Sequence, residues 1–159
     1  MPVDPSELDV ATLSFLAGSA ANEMLLQRIR GRGHPHLRVS HGFVFQHLVE
    51  GDPTVGDLAE ALGVTQQAAS KATRELEVLG YVTRHADAAD RRVTRLALTD
   101  HGRDAVRTAR RARRDLERTL ARAVGEEDLA TTRRVLATLL DRAGGEERVR
   151  ARRVRPVAD

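Results

Sequence analysis

The chain is 159 residues long, with 26 basic and 23 acidic residues and a formal net charge of +3. That length suits one domain with a real core, or one domain plus an oligomerisation element, and it contains no apolar run long enough to span a membrane. The lack of cysteine excludes a disulfide, a thiolate zinc site and a cysteine nucleophile, and 3% aromatic residues leave too few rings to stack single-stranded nucleic acid.

The opening "MPVDPSELDV" has no basic start followed by an apolar stretch, so no secretory signal is expected and a cytoplasmic location is. Every basic residue except Lys71 is arginine. Codon bias accounts for such a count, so only the placement of particular arginines informs function.

"SELD" from Ser6 resembles a capping box with Asp9 in place of the usual Glu, and it predicts the first helix. Leu13, Leu16, Ala17, Ala20, Met24 and Ile29 recur at helical spacing up to "RGRGHPHLR", where two glycines and a proline break the pattern. A second helix is expected from Ser40, ending at Gly51, Asp52 and Pro53. Thr54 and Asp57 cap a third, with Leu58, Ala59 and Leu62 as its buried stripe. Gly63 ends it, and Thr65 caps a fourth two residues later. The fourth helix is expected to bury Ala68 or Ala69, Ala72, Leu76 and Leu79, and to stop at Gly80.

The period then becomes alternating. "YVTRH" and "VTRLALT" read as strands joined by "ADAADRR" as a hairpin connection. Thr99 caps a long helix with Val106, Ala109, Ala112, Leu116, Leu120 and Val124 on one stripe. Gly125 breaks it, and a last helix carries Leu129, Val135, Leu136, Leu139 and Leu140 before Gly144 and Gly145. The fold class is therefore mainly α with one small β-hairpin. The tail "EERVRARRVRPVAD" has no apolar face and is expected to be disordered or loosely docked.

Two helices crossing steeply need a small contact residue and a turn residue tolerant of positive φ; Ala59, Gly63 and Ala69 supply these. An ordinary helical corner has the same spacing. The exposed face of the fourth helix separates the two readings. Thr65, Gln66, Gln67, Ser70, Lys71 and Arg74 are all hydrogen-bond donors or cations, and no acid appears before Glu75. Gln suits adenine, Lys guanine, and Ser or Thr either a phosphate or a base edge, which is what a helix in a major groove requires.

Residues 54–102 resemble the winged helix-turn-helix core of MarR-type transcriptional regulators, through "LAEALGV", "LGYVTR", "DRR" and "LTDHG" in that order. With the flanking helices the resemblance extends over residues 6 to 143. It implies a single MarR-type domain across 1–159, built as a helical dimerisation region (6–38 and 99–143), a winged lobe (39–98) and a basic C-terminal tail (144–159). It also implies a homodimer acting on double-stranded DNA, a repressor at a pseudo-palindromic operator. The apolar stripes of the long and last helices agree, because little else in one chain covers them unless the N-terminal helix does.

A hairpin tip can insert an arginine into a minor groove. In the family the second arginine of "DRR" does so, which maps to Arg92, with Asp90 two residues away able to orient it. Arg84, Arg91 and Arg95 then have phosphates as targets. The resemblance further implies a small-molecule effector site between base and lobe, for which Met24, His36, Arg38, His41 and Phe45 are the candidate lining. Effector identity is not readable.

Neutral imidazoles suit zinc, and His34, His36 and His41 lie within eight residues with His47 following. Loop and pocket histidines are the competing reading, and no cofactor or metal is assigned. Asp87 and Asp90, flanked by arginines, make a poor cation site. No Gly-rich phosphate loop, nucleophile elbow or HExxH motif supports an enzyme.

Overall fold

Most helices begin where a side chain takes up an amide left without a partner in the first turn. In a computed structural model, which describes residues 4–145 and Val149, Asp9 caps α1 (Val10–Arg30) by accepting from the Thr12 amide at 3.0 Å. Thr54, Thr65 and Thr99 cap α3 (Val55–Leu62), α4 (Gln66–Val78) and α5 (Asp100–Val124) in the same way. α2 (Val39–Leu48) starts differently: the Arg38 amide donates to His41 Nδ1 at 3.3 Å. α6 (Glu126–Arg142) follows Gly125. The strands β1 (Val82–Ala86) and β2 (Thr94–Leu98) pair antiparallel, Val82 opposite Leu98 and Ala86 opposite Thr94.

Two expected starts shift. Ser6 lies in a separate 3-10 turn, Pro5–Glu7, capped by Asp4, and Leu8 is extended, so Asp9 is the cap of α1 and not the end of a capping box. α2 begins at Val39, one residue before Ser40.

The turn between α3 and α4 is three residues, Gly63 to Thr65. Gly63 sits at φ 61°, ψ 38°, a conformation that a side chain resists. α4 buries Ala69, Thr73 and Leu76; Ala72 is only partly covered and Ala68 is exposed. Polarity hid Thr73, whose hydroxyl donates back to the Ala69 and Ser70 carbonyls at 3.0 Å and so enters the interior satisfied.

One core joins the elements. Leu58, Leu76 and Leu96 are fully buried and tie α3, α4 and β2 together, with Val44, Phe45, Leu48 and Tyr81 around them. Burying each such side chain contributes about 1.5–3 kcal/mol. The Leu96 amide donates to the Pro53 carbonyl at 2.9 Å, which anchors the hairpin to the loop before α3. α1 packs on α5, and α5 on α6. Away from this core the helices are bare. Val10, Phe15 and Leu16 of α1, Leu120 and Val124 of α5, and Val135, Leu136 and Leu140 of α6 are exposed, Phe15 to 73%. Of the expected α1 stripe only Ile29 is buried, and Leu25 and Leu26, outside that stripe, are buried with it. The expectation for the tail lies outside the described residues from 146 on, Val149 excepted.

Candidate nucleic-acid interface

The turn and caps that build α4 leave its N-terminal face outward. Thr65, Gln66, Gln67, Lys71 and Arg74 are exposed and Ser70 half-buried. The Thr65 hydroxyl accepts from the Ala68 amide at 3.2 Å, and no acid lies in the first turn. The only acids of α4, Glu75 and Glu77, are both engaged by arginines from elsewhere. Glu75 pairs with Arg38 of the loop before α2. Glu77 accepts from Arg84 Nε on β1 at 2.8 Å. The remaining surface of α4 presents donors and positive charge, which suits an anionic groove.

The hairpin tip is organised by its two aspartates. Asp87 Oδ1 accepts from the Ala89 amide at 2.7 Å and the Asp90 amide at 3.0 Å. Its other oxygen meets Arg95 Nε, and Arg95 Nη1 reaches the Asp52 carbonyl at 2.9 Å. The Arg95 hydrogen bond, followed by these amides, pulls the Asp87 carboxyl down to about 2. Asp90 takes the Arg92 guanidinium at both oxygens, Nε at 3.0 Å and Nη2 at 2.9 Å. That same bond lowers the Asp90 carboxyl from its ordinary value. The Arg92 side chain is still 91% exposed. Arg91 is exposed beside it.

The arginines expected to face DNA thus divide. Arg91 and Arg92 stand outward. Arg84 is drawn back by Glu77 and by the Thr73 hydroxyl at 3.3 Å. Arg95 is drawn into the base of the hairpin by Asp87 and Asp52. Neither role was legible locally, because Arg84 and Glu77 lie on different elements and Asp52 is 43 residues from Arg95.

Between α1, α2 and α5 lies a cavity of about 400 Å³. Leu25, Leu26, Ile29 and Phe45 give it an apolar floor, and Arg38, Arg110 and Arg113 stand on its wall. Of the five lining residues expected from sequence, Arg38 and Phe45 line it. Met24 turns off the α1 face that carries Leu25 and Ile29, and His36 is exposed beside the buried Leu37. His41 points instead toward α4, its Nε2 3.7 Å from Glu75, and its burial lowers its pKa.

The histidine cluster does not converge. His34 packs against Tyr81 and His101, His41 against Arg38 and Glu75, and His36 faces solvent. No group of three or more His, Asp or Glu side chains among the described residues is placed to hold a metal ion, so the His34/His36/His41 zinc arrangement is not assembled in this fold.

Residues 39–93 match the model of the MarR family. No curated protein matches the chain. MepR, a transcription regulator of the Staphylococcus aureus multidrug efflux pump MepA, is 20% identical with a TM-score of 0.68, covering 86% of this chain and 99% of its own. MepR in complex with DNA aligns at 21% identity and a TM-score of 0.66, over 84% and 97% of the two chains. YusO of Bacillus subtilis gives 21% and 0.62, over 84% and 99%. The mainly helical architecture with a two-stranded antiparallel hairpin is thus the winged-helix fold of MarR-type proteins. No helix among the described residues is long and apolar enough to cross a membrane.

Proposed function

From a segment of the MarR family set in a chain with that family's fold, we propose that this protein is a non-enzymatic, sequence-specific DNA-binding transcriptional regulator, a repressor acting as a cytoplasmic homodimer. The observation that carries the reading is the outer face of α4: both of its acids are paired to arginines from other elements, while Gln66, Gln67, Lys71 and Arg74 are exposed. Gln and Lys at these positions read base edges, and Thr65, Ser70 and Arg74 add phosphate or base contacts. On the hairpin, Arg92 enters the minor groove with Asp90 as its orienter, and Arg91 meets a phosphate. Arg84 and Arg95 act first on the fold, as supports of α4 and of the hairpin, with phosphate contact secondary.

The dimerisation region is 6–38 with 99–143, and the DNA-binding lobe is 39–98. Two copies burying the exposed apolar residues of α1, α5 and α6 present two α4 helices to half-sites about one helical turn apart, near 34 Å. An effector that occupies the cavity beside Arg38 biases that spacing.

A mobility-shift titration with the DNA upstream of the protein's own gene tests the function. Retarded complexes whose affinity drops steeply as salt rises are expected. The reading fails if no duplex, including genomic fragments offered for capture, is held more tightly than competitor DNA.

A further inference from the structure

Among the described residues, the most deeply buried titratable side chain outside the DNA-facing surface is His34, at 1% exposure, in the loop between α1 and α2. Neither ring nitrogen has a hydrogen-bond partner among the described residues. Nε2 lies 3.3 Å from the Asp104 carboxylate but off the hydrogen-bond direction, and that carboxylate is itself half in water and held by Arg107 at 3.0 Å. Two rings also lie against it. The His34 ring is 4.8 Å from His101 and 5.7 Å from Tyr81, and the Tyr81 and His101 rings stack at 4.4 Å.

Tyr81 is the joint of the lobe. Its amide donates to Leu76 of α4 at 2.8 Å, its carbonyl accepts from Thr99 at 3.0 Å, and β1 begins at the next residue. Its ring also meets Phe45 of α2 edge-on at 5.8 Å. α4, the hairpin and α5 therefore meet at one tyrosine, and His34 forms part of its wall.

We propose that His34 is a proton-operated latch, which holds this joint closed while neutral and loosens it when mild acid places a charge on the ring. The groups facing it are His101 and Asp104 of α5 and Tyr81 of the α4–β1 turn. The Asp104 carboxylate, shared with Arg107, opposes the effect. A charge buried here, with one half-exposed carboxylate shared with Arg107 as its counterion, is disfavoured. Burial, then His101, lowers the His34 pKa below 6.5. A group so depressed is fully stabilising above the ordinary histidine range, and that stability is lost as pH falls through about 6.5. The consequence for DNA rests on the regulator reading; the latch itself does not.

The test compares wild type with His34→Phe, which keeps a ring and removes the titration. Thermal unfolding needs no DNA. From about pH 7.5 to about 5.5 the wild-type midpoint should fall several degrees further than that of His34→Phe; parallel falls overturn the latch. If His34→Phe does not fold, the wild-type His34 ring is titrated by NMR. A transition below the ordinary histidine range, moving the Tyr81 ring signals with it, supports the latch, and titration at the ordinary value with Tyr81 unmoved overturns it. With an operator in hand, wild type should lose about tenfold in affinity over that interval and His34→Phe markedly less. Failure of every DNA to bind while the unfolding difference persists rejects the regulator reading and not the latch.

Discussion

Arg92 and Asp90 form a two-point contact at the hairpin tip, Nε and Nη2 of the guanidinium on the two oxygens of one carboxylate. The pair is exposed, so it adds little to stability. What it fixes is direction: the Asp90 carboxylate also accepts from the Arg92 amide at 3.0 Å, and the long side chain is held in one orientation before any partner arrives. Ordering a side chain in advance reduces what binding must spend on it. Arg92→Ala should therefore weaken operator binding by about tenfold or more, with thermal stability unchanged. A binding curve that superimposes on wild type removes Arg92 from the interface.

Asp90→Ala gives the sharper outcome, because simple charge counting and orientation disagree in sign. Removing an acid near DNA should strengthen binding if Asp90 only repels phosphate. If it orients Arg92, affinity drops in spite of the gained positive charge. Titration of both variants against one duplex at two salt concentrations decides between them.

The difference between Asp90 and Asp87 also marks how far sequence could be read. Asp90 and Arg92 are two residues apart, so their geometry was open to inference. The caps at Thr54, Thr65 and Thr99 and the left-handed Gly63 are equally local, and they framed the helix-turn-helix correctly. Asp87 reads locally as no more than a loop carboxylate beside arginines. Its second partner, Arg95, comes from the opposite strand, and Arg95 also reaches Asp52 across the lobe. Glu75 and Arg38, 37 residues apart, likewise meet only through the fold. Contacts of this kind depend on how elements pack, which a single sequence encodes only collectively.

Gly102 provides a stability test of the joint around Tyr81. A Cβ there would stand 2.2 Å from the Tyr81 carbonyl oxygen and 3.0 Å from Leu98 Cδ2. The clash is with backbone, which cannot swing aside as a side-chain tip would. Gly102→Ala should destabilise the protein by about 1–3 kcal/mol or more, read as a lower urea midpoint. A midpoint equal to wild type means α5 is free to slide away from Tyr81.

The exposed apolar residues of α1 and α6 make the dimer testable without DNA. Phe15 is 73% exposed, and Leu136 of α6 is also exposed. A monomer gains nothing from either side chain, whereas an interface that buries them loses much when a charge is introduced. Phe15→Asp and Leu136→Asp should sediment as monomers at about micromolar concentration, where the wild type sediments as a dimer. Wild-type protein that sediments as a monomer refutes the arrangement outright.

Asp87 ties hairpin order to acid. Its carboxyl is drawn down to about 2 by Arg95 first and by the Asp90 and Ala89 amides next. A carboxylate depressed in the folded state stabilises it above the unfolded value of 3.8, and the contribution fades as pH falls toward about 2. The hairpin tip should thus stay ordered through mild acid. Asp87→Asn keeps the shape but cannot hold Arg95 as an ion pair. Faster amide exchange at Ala89 and Asp90 is expected in that variant at neutral pH, with the exchange of core amides such as Leu96 unaltered. Equal protection of the tip in both proteins would mean that the Asp87–Arg95 pair does not hold the hairpin together. Faster exchange at Leu96 as well would mean that its influence extends beyond the tip.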